Sequence, residues 1–487
     1  MNSLTSTGLT FKQMERIFFE IGCEVSRMQM QQVMEATDKE LEKSRNKSEL
    51  RHKGSRTTTI KTLMGEVAVK RNIYKRVKDD GTIEHVFLLD EALGLDTIGN
   101  ISPNLVEKII GHACEMSYRE VAEAVSGLTN QSISHQGVWN VIQAVGEKQA
   151  EAEKDLVKAF ESNELAGEKE VPVLFEEADG LWLSMQGKSR KGSSKGKKEL
   201  KVGVIYEGWE KRYPSSKEYK TIEKTAFAGY MKPDEFKALR DAAVAEKYDV
   251  DEILYRVLNG DGASWIRNGH DLETDIFQLD SYHLAKSVVR NVYDKQARRN
   301  IMRWLKAGEF EKAFKKIEDL KHECGGLESE VKKLTVLEKY IKSNIDGIIV
   351  YKDREGIRIP VPKEGIEYRN LGTMERNVGI FAKRMKGAKS WSKKGATNLS
   401  KIIALKMGKG FKDKISSLVS GKLSEKLTER FEETLGSTKV ELKRTIKKSI
   451  YALPRGEIPF SNCKVTNGRK AIRSMFDLRP FSEMVYR

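Results

Sequence analysis

The stretch Val171–Gln186, VPVLFEEADGLWLSMQ, decides how the rest of the chain is read. Its first half is apolar and strand-like, its middle carries Glu176, Glu177 and Asp179, and its end alternates Leu181, Leu183 and Met185 with Trp182 and Ser184. Apolar and small residues leading into a carboxylate and then a glycine set an acid on a central strand of a sheet. A carboxylate held there is costly unless a cation or hydrogen bonds compensate it. Asp179 is therefore expected to be a metal ligand, with Glu176 and Glu177 as neighbours that shape local charge.

Downstream, Lys201–Trp209 and Lys224–Tyr230 read as second and third strands, and a helix opens at Pro233. ILYRVLNGDG is a further strand that ends in Asp261-Gly262, and IFQLDSYHLAK a strand to Leu279 with Asp280 and His283 just beyond. Three strands, a helix, a strand ending in an acid, then strand and helix match a ribonuclease-H-like α/β plan. Its first and fourth strands are neighbours, which would set Asp179 beside Asp261. Residues 284–345 read as a charged helical insertion, broken at Gly325-Gly326, and Ile348–Arg369 as strand-like again. Thr373 then caps a helix that carries Glu375 in its first turn, with Gly379, Lys383 and Lys386 on roughly the same face.

Upstream, residues 9–48 form an amphipathic helix with Phe11, Ile17, Phe18, Ile21 and Val25 at helical spacing. Two strands hinged near Met64-Gly65 follow, with Arg56, Lys61, Lys70, Arg71, Lys75 and Arg76 on exposed faces. Three short helices come next, opened by Ser102-Pro103, by the capping box Ser117/Glu120 and by Ser134. They suggest a helix-turn-helix whose last helix presents Ser134, His135, Gln136 and Asn140 to a major groove, followed by a charged helical linker over 147–169.

The resulting domain plan is an N-terminal helix and strand-rich region (1–100), a helix-turn-helix-like DNA-binding region and linker (101–168) and the first part of the core (169–283). The helical insertion (284–345), the second part of the core with the third acid (346–400) and basic C-terminal helices with a tail (401–487) complete it.

Composition points to a polyanion. The 487 residues carry a formal charge of +16, which favours nucleic acid over membrane. No stretch approaches the ~20 apolar residues of a membrane span, and the N-terminus lacks the pattern of a signal peptide, so a cytoplasmic, nucleoid-associated protein is expected. Cys23, Cys114, Cys324 and Cys463 are scattered singly, which argues against a zinc ribbon or a disulfide framework.

Two acids at strand ends and one on a later helix suit a site for two Mg2+ ions, with Mn2+ as a substitute. Mg2+ takes hard carboxylate oxygens and keeps water or phosphate as its other ligands. Such a pair activates an attacking oxygen and stabilises the leaving oxygen of an in-line phosphoryl displacement. No nucleophilic triad and no phosphate-binding GxxxxGK loop is evident, so neither acyl transfer nor ATP chemistry is supported.

EADGLWLSMQ, LNGDGASWIR, LDSYHLAK and GTMERNVGIFAKRMKGAKSW together resemble the DDE transposases of bacterial insertion sequences, of the ISLre type allied to the Mutator-like enzymes. The resemblance covers most of the chain. It implies Asp179, Asp261 and Glu375 as catalytic metal ligands, with Asp280 and His283 as a supporting D-x-x-H element. His283 would shape the site by hydrogen bonding. It further implies cleavage at terminal inverted repeats, freeing a 3′-hydroxyl that attacks target DNA, by a homo-oligomer on DNA. Lys188, Arg190, Lys191, Lys383, Arg384 and Lys386 would hold phosphates, with the basic residues through Lys198, including Lys195, in the same loop. Two rival readings remain: a structure-specific nuclease of the same fold, and a non-catalytic sequence-specific DNA-binding protein.

Overall fold

The structure, a computed structural model, describes residues 10–78, 81–191, 196–267, 275–325 and 327–421, together with 428, 429 and 432. Residues 1–424 form one unit and 425–487 a second; the expected C-terminal tail lies outside the described residues, as does Lys195.

Thr10 starts helix α1 (Phe11–Ser44) through a reciprocal capping box with Gln13. The helix's C-terminal half packs on an antiparallel meander of β1 (Leu50–Thr62), β2 (Gly65–Val77) and β3 (Ile83–Val86). The turn between β1 and β2 falls at the expected hinge, where Gly65 takes a φ of 112°. The expected helix forms, with Phe11, Ile17, Phe18 and Ile21 of its spaced apolar residues exposed. One expectation fails here. Arg71, expected on a solvated face, is buried and paired with Asp90 of α2 (Leu88–Leu93).

Helices α3 (Pro103–Ala113), α4 (Tyr118–Leu128) and α5 (His135–Glu161) follow, with caps at Ser102, Ser117 and Ser134. The expected helical linker over 147–169 is helix as far as Glu161, where α5 ends. The fifteen residues after Gly146 are rich in strong helix formers and contain no Gly or Pro.

The second sheet has five strands: β4 (Val173–Ser184), β5 (Lys197–Tyr206), β8 (Thr225–Gly229), β9 (Tyr255–Gly260) and β10 (Asp275–Leu279). Between β5 and β8 lies a small hairpin, β6 (Trp209–Lys211) and β7 (Tyr219–Thr221). The order across the sheet is β10-β9-β4-β5-β8, in which β5 runs antiparallel to both its neighbours and β4, β9 and β10 are parallel. In sequence order those strands are fifth, fourth, first, second and third. Helix α6 (Pro233–Ala245) joins the third to the fourth, and the short α7 (Ser264–Arg267) lies between the fourth and fifth.

After β10 come α8 (Ser281–Asn291), α9 (Lys295–Lys306), α10 (Phe310–Glu323), α11 (Glu328–Ser343) and α12 (Ile345–Ile348). The chain then returns through α13 (Met374–Met385), α14 (Lys393–Met407) and α15 (Phe411–Val419). The segment from Ile348 to Arg369, expected to be strand-like, contains no strand and only an isolated bridge of Glu367 to Trp209. Pro360 and Pro362 remove backbone donors there. Its β-like composition serves packing instead: Tyr351 and Tyr368 lie edge-on to Phe175, at centroid distances of 5.7 and 5.3 Å.

The alternation of β4 divides the core in two. Val173, Phe175, Leu181 and Leu183 face a cluster with α3, α4, α5, α13 and α14, while Leu174 and Ala178 face one built with α6 and the helices α8 to α11. The three helices of the expected helix-turn-helix thus share their core with the sheet, and α14 packs across both α5 and β8.

Candidate metal centre and its surroundings

The odd-numbered face of β4 that buries Phe175 also carries Glu177 and Asp179. Strand β9 pairs with β4 only as far as Glu177 opposite Asn259. Continuing that register by two residues sets Asp179 against Asp261, at the point where β9 leaves the sheet. Crevices at the carboxyl ends of parallel strands are where open α/β sheets bind ligands.

Asp179, His283 and Glu375 form the centre. Each offers a ligand atom, and those atoms lie within 4.8 Å of one another. His283 stands in the first turn of α8, its Nε2 3.8 Å from Asp179 Oδ2. Asp280 starts that helix by accepting a bond from the Tyr282 amide at 2.7 Å, so it orients His283 rather than joining it. Asp261 is held by its own turn: Oδ1 accepts from the Ala263 amide at 2.9 Å, and its carbonyl accepts from Tyr340 Oη at 2.8 Å. The structure groups His283 with Asp179 and Glu375 and leaves Asp261 beside Asp179 at the mouth of the adjoining groove, so the imidazole expected as a hydrogen-bonder stands among the candidate ligands.

Burial pushes the Asp179 carboxyl up to about 6. The His283 ring and the Gly180 amide oppose that rise, and the charges of Asp261 and Asp280 add to it. An acid so raised is an anion short of positive charge, which a divalent cation would supply. Two carboxylates and an imidazole close together suit Mn2+ or Mg2+ completed by water or phosphate oxygens.

Glu177 does what no sequence signal announced. It is buried and accepts bonds from Tyr206 Oη (2.6 Å), Asn259 Nδ2 (2.9 Å), Thr373 Oγ1 (2.5 Å) and the backbone amides of Thr373 (3.1 Å) and Met374 (3.2 Å). The expected cap of α13 was Thr373, but its side chain makes no capping bond within the helix. The capping carboxylate comes instead from β4, bound to donors 196 residues away, and complements the helix dipole. That bond fixes Glu375, two residues into the helix, over Asp179. Burial still raises the Glu177 carboxyl, against the lowering effect of its hydrogen bonds. Glu176, on the opposite face, is tied to Arg240 and Arg256 at 3.0 and 2.6 Å. Their shared role is structural.

The glycines after the two aspartates have different causes. Gly262 takes a φ of 89°, and a Cβ there would lie 2.4 Å from Asn344 Oδ1. Gly180 is ordinary strand, but a Cβ would meet the Glu199 carboxylate at 2.1 Å.

A groove of about 680 Å³ opens beside the centre, lined by Asp261 and His283, by Lys286 and Arg290 of α8, and by Lys332, Lys333 and Tyr340 of α11. The sequence marks these helices as a charged insertion but does not single out these residues. Their cations fall at i and i+4 on α8 and on adjacent positions of α11, a pattern hidden among many other lysines. Lys188, Arg190 and Lys191 are exposed, as are Lys383 and Lys386. Arg384 is buried: its Nε donates to Ala113 O at 2.7 Å and its guanidinium lies over the Tyr118 and Trp391 rings. It joins α13 to α3 and has no face left for a phosphate. Gln136 and Asn140 are exposed on α5 and bonded to each other at 3.1 Å.

The chain belongs to the uncharacterised protein family UPF0236, whose model matches residues 4–416. It is 27% identical over 349 residues to a UPF0236 protein of Streptococcus gallolyticus named for the vanSb 3′ region, covering 69% of this chain and 70% of that one. It is 26% identical over 359 residues to a UPF0236 protein of Caldanaerobacter subterraneus subsp. tengcongensis, covering 73% and 71%. No helix among the described residues is long and apolar enough to cross a membrane.

Proposed function

We propose that this protein is a transposase: a metal-dependent enzyme that cuts DNA at the ends of a mobile element and joins the freed strand to new DNA. The carrying observation is that Asp179 and Glu375, from a central strand and a helix far along the chain, meet with His283, with Asp261 beside them at the parallel strand ends. The strand order, with β5 antiparallel between β4 and β8, supports a ribonuclease-H-like core interrupted by α8 to α12. Asp179, Glu375 and His283 would hold a divalent ion, Mg2+ or Mn2+, and Asp261 a second one at the rim. Bound there, such ions supply Lewis-acid activation of the attacking and leaving oxygens.

The protein's own residues do the rest. Glu177 holds α13, and so Glu375, against the strand. Asp280 starts α8 and orients His283. Lys286, Arg290, Lys332 and Lys333 neutralise a phosphate backbone running through the groove toward the acids. The relative from Caldanaerobacter subterraneus carries eleven locus labels in one name. One gene present at many loci is what a self-copying element leaves behind.

The test uses the purified chain with duplexes taken from the DNA flanking its gene, in Mg2+ or Mn2+. Cleavage at inverted repeats and joining to a target duplex are expected. Asp179→Ala should abolish both while leaving duplex binding within about twofold, because the phosphate contacts lie elsewhere. Cutting of branched DNA without end cleavage would make it a structure-specific nuclease, and binding with no metal-dependent cutting a DNA-binding protein. Either result overturns the proposal.

A further inference from the structure

Helix α1 carries an apolar seam that nothing in this chain covers among the described residues. Every residue from Phe11 to Gly22 is exposed, and the helix enters its own core only from Cys23 onward. Along this arm the apolar residues Phe11, Met14, Phe18, Ile21, Val25 and Met28 are separated alternately by three and four positions. That is the a/d repeat of a left-handed coiled coil, and the row spans roughly 27 Å of helix at ~1.5 Å per residue. Phe11 is 80% exposed, Phe18 69%, Ile21 54%, Met28 56% and Met14 42%.

We infer that this arm pairs with the same arm of a second copy of the chain, making the protein a dimer through a short parallel coiled coil. The seam itself holds no charged residue. In a parallel pair in register, the flanking positions bring Thr10 of one copy beside Glu15 of the other, Ile17 beside Gly22 and Glu24 beside Gln29, so no like charges meet. The area is sufficient. With large side chains of ~150–200 Å² each, the exposed seam and its flanking Ile17 offer roughly 600–650 Å² per copy, or about 1,200–1,300 Å² for the pair, within the ~1,200–2,000 Å² of stable interfaces. A single exposed apolar arm of this size would otherwise stand in water, which soluble chains seldom tolerate. The pairing is independent of the proposed chemistry.

Sedimentation velocity of the full chain at micromolar concentration tests it. The wild type should sediment as a dimer. The double variant Phe18→Glu/Ile21→Glu should be monomeric, its self-association weakened by on the order of a hundredfold or more, with a urea midpoint that no longer depends on protein concentration and an unchanged far-UV circular dichroism spectrum, because neither side chain packs on its own chain. Arg16→Ala, off the seam, should remain dimeric. A monomeric wild type, a dimeric double variant, or a monomer that instead binds vesicles of anionic lipid would each overturn the inference.

Discussion

Asp179→Asn should make the metal-free protein more stable while removing the proposed DNA cleavage. Burial lifts the folded-state carboxyl from 3.8 to about 6. A folded value above the unfolded one means that Asp179 contributes stability fully present below about 3.8, which is lost as the pH rises through about 6. Above that window the ionised group is a penalty. Two units at ~1.36 kcal/mol each set an upper bound of about 3 kcal/mol; screening by water at the crevice and by His283 reduces it to roughly 1–2 kcal/mol. The amide keeps an oxygen for the Gly180 N–H, now 2.7 Å from Oδ1. Urea unfolding with a chelator present should show the variant gaining that much near pH ~7.5 and almost nothing near pH ~4. Added Mn2+ should then raise the wild type and leave the variant nearly unmoved. A variant that is less stable at neutral pH, or equally favoured at both, would refute the reasoning that an under-compensated anion sits at this position.

Glu177→Gln keeps the shape but turns one oxygen into a donor facing other donors, so a loss of about 2–4 kcal/mol is expected in the urea midpoint, together with weaker metal binding by titration calorimetry. A change below about 1 kcal/mol would mean the cap is dispensable. Gly262→Ala should cost about 1–3 kcal/mol, from its positive φ and the approach of Asn344, read by thermal unfolding against Gly379→Ala, which meets nothing within 4 Å. Lys332→Glu/Lys333→Glu should weaken duplex binding and flatten the dependence of log K on log salt by about 2, whereas the same change at Lys188 and Lys191 tests the loop. Equal slopes for the groove variant and wild type would remove the groove from the DNA path.

Asp179 and Asp261 stood out in the sequence because each follows an apolar run and precedes a glycine, a local signal, although β4 runs on past Asp179 to Ser184. Strands β4, β5, β9 and β10 could be read for the same reason. Which groups meet was less legible. The ligand atoms of His283 and Glu375 come together across an insertion of several helices, and no spacing in the chain encodes that distance. Glu177 differs from Glu176 only by facing the other side of β4, yet one caps a distant helix and the other pairs with two arginines. Periodicity tells the faces apart but not what covers each. The stretch from Ile348 to Arg369 has strand-like residues because its tyrosines pack on Phe175, so composition recorded burial rather than pairing. Arg384 looked like one more surface cation because α13 is basic on several sides, and only the packing of α3 against it shows that it is buried.

The bond from Glu177 to Thr373 spans 196 residues, and this gives the centre a history during synthesis. At ~5–20 residues per second, roughly 10–40 s separate the emergence of Glu177 from that of its donors. Until then a carboxylate destined for the interior has neither amide to meet it, and Asp179 lacks Glu375. A chain cut short before α13 would leave Glu177 with only its bonds to Tyr206 and Asn259 and carry an incomplete centre. Such a product is expected to unfold and be degraded rather than to persist as a partly active fragment, so full-length translation itself acts as the licence for the chemistry.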